Sequence, residues 1–165
     1  KGVEINEGSI DGFLKLNKET KTRGAFRSHP DEYYQNMVLS LPKDFINIWQ
    51  ASYQNQIIAS NIVVTFGDTA TYAHGASSNE RRDVMAPYLL HWHTIQSAKK
   101  QGIKHYDLWG VNPEDEQNPA HKKLWGGITR FKAGFGGELV CYPDSFDVVF
   151  NSWLYSMYTF ARKFR

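Results

Sequence analysis

Basic side chains gather in two stretches of this 165-residue sequence, from residue 99 to residue 104 and from residue 122 to residue 132. If the fold brings them to one rim, their positive charges would bind RNA phosphates in a salt-sensitive way. The alternative is scattered charge that keeps the protein soluble. The residues concerned are Lys99, Lys100, Lys104 and Lys132, together with Lys122, Lys123 and Arg130, which are the RNA-binding candidates.

Three arginines and one tyrosine are candidates for contacts to a substrate that carries phosphate or sugar groups. Arg23 and Arg27 precede the second predicted helix, Arg82 precedes the central one, and Tyr72 lies in a predicted strand. A guanidinium group presents parallel N–H donors that match the oxygens of a phosphate. The alternatives are surface arginines, a core tyrosine and, for Arg82, an ion pair with Glu80.

Three other patterns indicate structure rather than chemistry. His91 and His93 are two residues apart in a predicted helix, so their rings point in different directions and no zinc pair is expected. The acidic run at residues 114–116 lies in a predicted loop without matched ligands, which favours a solvated turn over a metal site. Cys141 has no motif that places a histidine beside it, so a thiolate nucleophile is not predicted.

The composition is that of an ordinary folded domain. Hydrophobic residues make up 41% of the chain and charged residues 22%, which argues against a disordered or fibrous protein. The formal net charge of +2 is too small for a general nucleic-acid coat protein, so an RNA partner must meet a local patch. The single cysteine and the lack of a long apolar run or leader predict a cytoplasmic protein.

Apolar residues recur at helical spacing in several segments of the chain. The best pattern runs from about residue 85 to Gly102, with Lys99 and Lys100 in its last turn. Gly126 and Gly127 are expected to interrupt a short helix that begins near residue 120. The other predicted helices cover residues 9–24, 30–41 and about 153–163.

Extended segments at residues 45–53, 57–66 and 69–76 are separated by turn residues, which predicts a three-strand antiparallel meander. A strand at residues 106–109 follows the central helix, so a right-handed crossover should place it parallel to its neighbour. Two closing strands are predicted near residues 138–142 and 146–150. The predicted fold class is α/β, with a mixed, mostly antiparallel sheet flanked by helices in the order of the GNAT-like (acyl-CoA N-acyltransferase) fold.

The turn before the central helix differs from that of enzymes that use acyl-CoA. In such enzymes a glycine-rich turn lets backbone N–H groups approach a pyrophosphate at the helix N-terminus. The turn at residues 79–83 contains no glycine and carries acidic side chains. The sequence therefore disfavours CoA binding.

Five stretches of the chain, taken in order, resemble the Fem-type aminoacyltransferases. The first runs from Glu19-Thr20 to Arg23, Phe26 and Tyr34. The others are Ala73-His74-Gly75-Ala76-Ser77-Ser78, Met85-Ala86-Pro87-Tyr88-Leu89-Leu90-His91-Trp92, Tyr106-Asp107-Leu108-Trp109-Gly110 and Phe131-Lys132-Ala133-Gly134-Phe135-Gly136-Gly137. The resemblance covers nearly the whole chain and implies that residues 1–165 form a single GNAT-like domain, similar to the C-terminal half of a two-domain transferase.

The resemblance implies transfer of an amino acid from aminoacyl-tRNA to a side-chain amine of a peptidoglycan precursor, either UDP-linked or lipid-linked muramyl pentapeptide. Lys132 occupies the position of the catalytic lysine, whose ammonium would stabilise the oxyanion or the leaving group. Phe131 would shape the amino-acid pocket or stack on the terminal adenosine. Neither a metal nor a bound organic cofactor is expected. The implied setting is the cytoplasm, including the inner face of the membrane, with an N-terminal GNAT-like domain as a further partner.

Two alternatives of other classes remain open from the sequence. The chain could be an ordinary acyl-CoA-dependent N-acyltransferase, which would bind CoA despite the altered turn. It could instead be a noncatalytic half that binds tRNA or the precursor. For Lys132 the alternative is a lysine on a solvated loop, and for Phe131 it is a core position.

Overall fold

Among the residues that the structure describes, five strands form one mixed sheet, in the order in which they occur along the chain. Each of the first four strands pairs antiparallel with the next, and the fifth strand runs parallel to the fourth. Gln54 and Asn55 both have positive φ, as a two-residue hairpin of the primed type requires. The strands are β1 (Val3–Glu7), β2 (Ile46–Tyr53), β3 (Gln56–Phe66), β4 (Thr69–Ser77) and β5 (His105–Asp107).

Five α-helices accompany the sheet in this computed structural model, which describes residues 2–24, 28–113, 118–143 and 145–164 without the side chains of residues 120, 121, 123 and 124. A short 3-10 turn at Arg82–Val84 precedes the third helix. The helices are α1 (Ile10–Gly24), α2 (Asp31–Ser40), α3 (Ala86–Lys100), α4 (Pro119–Ala133) and α5 (Ser152–Arg162).

Helices cover both faces of the sheet. On one face Phe13 and Leu16 of α1 and Tyr34 of α2 form a buried cluster with Ile62 of β3. On the other face, Leu90 of α3 packs in a second cluster that includes β2 and β3 residues. Ile62 is 0% exposed and Val63 is 3% exposed, so the middle strand β3 is buried on both of its faces.

Three elements differ from the prediction. The edge strand β1 was not predicted because its pattern is short and half polar. The helix α4 continues through Gly126 and Gly127, where an added Cβ would meet no atom within 4 Å, so these glycines weaken the helix without breaking it. No strand forms in the described residues from 138 to 150, although their sequence alternates. A strand requires a hydrogen-bonding neighbour, which alternation alone does not supply.

The chain divides into two compact units, residues 1–129 and 130–165. The first unit holds the five-strand sheet with α1, α2 and α3. The second contains α5, whose N-terminus is capped by Asn151 through bonds from the backbone N–H groups of Trp153 and Leu154, both 3.1 Å long. No helix in the described part of the chain has the length and apolar character needed to cross a bilayer. The assignment of residues 1–165 to one GNAT-like domain stays a prediction.

Candidate functional site

The parallel strands β4 and β5 separate after only three residue pairs. The pairs are Thr69 with His105, Ala70 with Tyr106, and Thr71 with Asp107. The strand β4 continues to Ser77, whereas β5 ends at Asp107. The remaining edge of β4 therefore has no strand neighbour on this side among the described residues, and we name the opening beside residues 72–77 the β4–β5 cleft.

A β-bulge decides which side chains of β4 face this cleft. Ile62 pairs with His74 and Val63 pairs with Tyr72, so Ala73 is an extra residue on β4. The ring of Tyr72 contacts His91 of α3, with centroids 4.3 Å apart, while the ring of His74 contacts Tyr34 of α2 on the opposite face, at 5.0 Å. The bulge thus places two neighbouring aromatic residues in different layers.

The hydroxyl of Tyr72 lies directly over the backbone of Gly75. A Cβ added at Gly75 would be 1.7 Å from the Tyr72 hydroxyl oxygen, so any larger residue would displace it. Burial raises the pKa of Tyr72 to about 12, so at neutral pH the side chain is a protonated phenol. It makes no hydrogen bond within the part of the chain that the structure describes.

The free energy of unfolding is expected to fall between about pH 10 and pH 12, and Tyr72→Phe should remove part of that fall. The folded-state pKa of Tyr72, about 12, lies above the ordinary 10.0 because burial penalises the phenolate. The stabilisation that this pKa difference gives the folded protein, roughly 2 kcal/mol, is present below pH 10 and is lost as the pH rises through the folded-state pKa. Urea denaturation at several alkaline pH values measures it. The control is Tyr142→Phe, at an exposed position, and an equal slope in all three proteins would contradict the assignment.

Two of the predicted arginines lie near each other at the end of β4, where the charge of one acts on the other. The guanidinium of Arg23 donates to the carbonyl oxygen of Ser77 at 3.0 Å, to the Ser77 hydroxyl at 2.9 Å and to Asn79 Oδ1 at 2.5 Å. Its pKa is lowered by burial and by the nearby positive charge of Arg82, an effect that Glu19 partly opposes. Arg82 is exposed and makes no ion pair or hydrogen bond with other described residues, so it is not paired with Glu80.

Arg23 and Arg82 bring two positive charges to the end of β4, beside the β4–β5 cleft, where the carboxylate of Glu19 offsets part of that charge. Arg23 is largely committed to holding α1 against the end of β4, whereas the donors of Arg82 are available. An anion bound there would relieve the repulsion between the two groups. Arg27 lies outside the described residues.

The first turn of α3 has few backbone N–H groups left for an anion. Pro87 has none, and the N–H of Tyr88 donates to the carbonyl oxygen of Met85 at 3.0 Å. Arg81 and Met85 adopt the left-handed conformation that glycine usually supplies in such turns. This geometry agrees with the expectation that a CoA pyrophosphate would find a poor cradle here.

Lys132 lies in the last turn of α4 and is 7% exposed. A buried lysine is rare in proteins, and this burial excludes the alternative of a solvated loop lysine. The half-buried ring of Phe131 packs edge-on against Phe135, at 5.4 Å between centroids. The helix then ends through bonds from the N–H groups of Phe135 and Gly136 to the preceding turn.

The predicted site residues are divided between the two units. Arg23, Tyr72 and Arg82 belong to the first unit, whereas Arg130, Phe131 and Lys132 belong to the second. The RNA-binding candidates Lys122 and Arg130 are exposed positions of α4, and the side chain of Lys123 lies outside the described residues. The catalytic, substrate-binding and RNA-binding roles stay predictions.

Sequence reasoning missed the buried contacts of the Tyr72 ring. His91, discounted as a zinc ligand, is 2% exposed and has its Nδ1 3.0 Å from the hydroxyl oxygen of Tyr106. His93 instead packs against Trp49. One indication of the contact between His91 and Tyr106 was present in the sequence: the predicted strand that contains Tyr106 should lie next to the strand that contains Tyr72.

Comparison with known proteins gives one family. The model of the FemAB family matches residues 40–163. The chain is 30% identical over 116 residues to a lipid II:glycine glycyltransferase of Staphylococcus haemolyticus, covering 70% of this chain and 27% of the relative. It is 27% identical over 117 residues to the UDP-N-acetylmuramoylpentapeptide-lysine N(6)-alanyltransferase of Weissella viridescens, covering 68% of this chain and 34% of the relative. The chain thus spans about a third or less of these relatives.

Solved structures confirm the fold. A structure of FemX superposes with a TM-score of 0.68 at 15% identity, over 78% of this chain and 50% of that chain. A GNAT-family acetyltransferase from Staphylococcus aureus superposes with a TM-score of 0.67 at 14% identity, over 90% of this chain and 94% of that chain. The predicted fold class, a GNAT-like mixed sheet flanked by helices, is therefore correct.

Proposed function

Because this chain belongs to the FemAB family, we propose that it acts in the transfer of an amino acid from aminoacyl-tRNA to a side-chain amine of a peptidoglycan precursor. The observation that carries the proposal is a GNAT-type β4–β5 cleft beside a helix α3 whose first turn has few backbone N–H groups left to bind a CoA pyrophosphate. This favours an acyl donor other than acyl-CoA. The two relatives described above, which transfer glycine and alanine, support an amino acid as the transferred group.

The reaction forms an amide bond and breaks the ester that joins the amino acid to the ribose of the tRNA. The neutral acceptor amine attacks the ester carbonyl carbon, the carbonyl oxygen becomes an oxyanion, and the ribose oxygen leaves and takes up a proton. The acceptor amine loses one proton as the amide forms. Positive charge near the oxyanion lowers the barrier because that charge develops only in the transition state.

In this proposal the chain's own residues take five roles. Lys132 supplies the ammonium that stabilises the oxyanion or the leaving oxygen, and Phe131 shapes the amino-acid pocket or stacks on the terminal adenosine. Tyr72 donates a hydrogen bond to the acceptor. Arg82, with Arg23 behind it, binds the acceptor's phosphate, and RNA phosphates are contacted by Lys122, Lys123 and Arg130. None of these roles needs a metal or an organic cofactor.

The proposed acceptor is a muramyl pentapeptide, either UDP-linked or lipid-linked, and the proposed setting is the cytoplasm at the inner face of the membrane. An N-terminal GNAT-like domain is proposed as a further partner. The length of the relatives supports it, as does α5, which has no buried residue in the described part of the chain. Its exposed side chains include Trp153, Leu154 and Phe160, and apolar surface of this kind usually meets a partner.

A donor competition assay tests the proposal. Radiolabelled amino acid on tRNA and labelled acetyl-CoA are offered separately, with a lysine-containing muramyl pentapeptide as acceptor. We expect label on the acceptor from the tRNA donor and none from acetyl-CoA. Transfer of acetyl groups would instead establish an acyl-CoA-dependent N-acyltransferase. Binding of tRNA without transfer from either donor would establish a noncatalytic half.

Arg82→Ala is expected to raise KM for the acceptor about tenfold with little change in kcat. A phosphate bound by an exposed guanidinium contributes to substrate and transition-state binding alike, and about 1.4 kcal/mol corresponds to that factor. The control is Lys104→Ala, because Lys104 is an exposed cation paired with Asp68 at the opposite end of β4. If both variants change KM equally, Arg82 acts only through net charge.

A further inference from the structure

Three aromatic side chains bridge β4, α3 and β5 at the point where the two strands separate. The ring of Tyr72 meets the ring of His91 at 81° with centroids 4.3 Å apart. His91 Nδ1 lies 3.0 Å from the hydroxyl oxygen of Tyr106, and Tyr106 pairs with Ala70, the residue two positions before Tyr72. We name Tyr72, His91 and Tyr106 the aromatic bridge.

The central member of the aromatic bridge is fixed from two sides. His91 is 2% exposed, its Nδ1 is hydrogen-bonded to the Tyr106 hydroxyl, and its ring edge meets the Tyr72 ring. Burial raises the pKa of Tyr106 strongly, so this partner remains a neutral phenol. The imidazole therefore has little freedom to rotate and forms a rigid wall behind Tyr72.

A polar layer supports the bridge from below. Thr94 of α3 donates to the carbonyl oxygen of Leu90 at 2.9 Å and accepts from Asn61 Nδ2 at 3.3 Å. Apolar side chains of the same shape would fill the positions of Asn61 and Thr94 with less desolvation cost, so packing alone does not explain why these two residues are polar.

The Tyr72 hydroxyl is the one end of the bridge that has no partner within the described residues. It lies over Gly75, in the edge of β4 that borders the β4–β5 cleft. A phenol held only by its ring would otherwise swing about two side-chain torsions. A donor that is fixed before the substrate arrives loses less entropy on binding, and it aligns the substrate better than a mobile one.

We propose that His91, held by the hydroxyl of Tyr106, is a positioning residue that fixes the Tyr72 hydroxyl in the β4–β5 cleft for the acceptor substrate. The proposal rests on the transfer function proposed above for the role of Tyr72, and it goes beyond that function by assigning a task to His91 and Tyr106. Neither of these two residues touches the substrate. Both act only through Tyr72.

A double-mutant cycle tests the assignment by transfer kinetics. Tyr106→Phe keeps the ring and removes only the hydroxyl, and His91→Phe keeps a flat ring and removes the nitrogen that bonds Tyr106. Each is expected to lower kcat/KM about tenfold in the natural background and to have no further effect in the Tyr72→Phe background. Equal losses in both backgrounds would show that the bridge serves the fold alone and would overturn the proposal. Thermal unfolding identifies any variant that does not fold.

The Tyr72 side chain itself gives a readout that does not need activity. In protein labelled with ¹³C at the tyrosine ζ carbon, Tyr72→Phe identifies the Tyr72 resonance. Tyr106→Phe is expected to shift this resonance, because His91 loses its hydrogen bond to the Tyr106 hydroxyl and its ring moves against the Tyr72 ring. An unchanged resonance would overturn the proposal even if transfer is lost. If the natural protein transfers nothing, the proposed function fails, and the resonance still decides whether His91 and Tyr106 position Tyr72.

Discussion

Replacing Lys132 with alanine is expected to lower kcat for amino-acid transfer by about 100- to 1,000-fold, with a much smaller change in KM. That range is the usual cost of removing one preorganised group that stabilises a developing oxyanion. Lys132 is 7% exposed, so water would screen its charge less than that of a surface lysine. Steady-state kinetics with aminoacyl-tRNA and a muramyl pentapeptide measure the effect.

Two matched variants keep this prediction specific. Lys132→Arg retains the charge with a different shape and should recover part of kcat. Lys122→Ala removes an exposed cation from the same helix and should leave kcat unchanged while weakening tRNA binding at low salt. A Lys132→Ala enzyme with a normal kcat, or one that is affected only in tRNA affinity, would remove Lys132 from the reaction.

Gly75→Ala is expected to lower the free energy of unfolding by about 2 kcal/mol and to reduce transfer at least about tenfold. The added Cβ would stand 1.7 Å from the Tyr72 hydroxyl oxygen and 2.5 Å from the ring carbon that carries it. Tyr72 cannot retreat without displacing His91, which is buried. The two losses share one cause, because the same movement disrupts packing and removes the donor from the cleft.

The matched control for this variant is Gly127→Ala. An alanine there meets no atom within 4 Å and lies inside α4, so it should be neutral or stabilising. Urea denaturation and transfer assays on the two variants, side by side, measure the contrast. A Gly75→Ala protein with natural stability and activity would mean that the Tyr72 hydroxyl does not need its place over Gly75.

Local sequence patterns predicted the elements that depend on local chemistry. The apolar spacing of α1 and the turn residues around Gln54 and Asn55 located a helix and a hairpin close to their observed bounds. The prediction that Gly126 and Gly127 interrupt a helix was wrong, because solvent-exposed glycines weaken a helix without ending it. The two strands predicted between residues 138 and 150 were also wrong. Their apolar and polar residues alternate, but a strand forms only where a neighbouring strand pairs with it, and a local pattern cannot supply that neighbour.

Most of the candidate site arises from contacts between distant parts of the chain. Arg23 and Arg82 were each singled out as phosphate contacts, but their proximity depends on how α1 packs against the end of β4. The relation between Tyr72 and Gly75 depends on a register shift that no single-strand pattern reveals. Family resemblance directed attention to Lys132, whereas its burial could be learned only from the folded chain.

The extra residue Ala73 changes which face of the sheet the side chains on either side of it occupy. In a regular strand Tyr72 and His74 would face the same layer, whereas here Ala73 sends the phenol toward α3 and the imidazole toward α2. One strand thereby serves two independent neighbourhoods within three residues. A chain shortened by Ala73 alone would pair regularly and would still place Tyr72 and His74 on opposite faces, but it would lose the local bend and extra twist that a bulge gives the strand. The bulge lets two aromatic side chains that are only two residues apart line different layers of the domain, and in this way one strand contributes both to the packing against α2 and to the cleft beside α3.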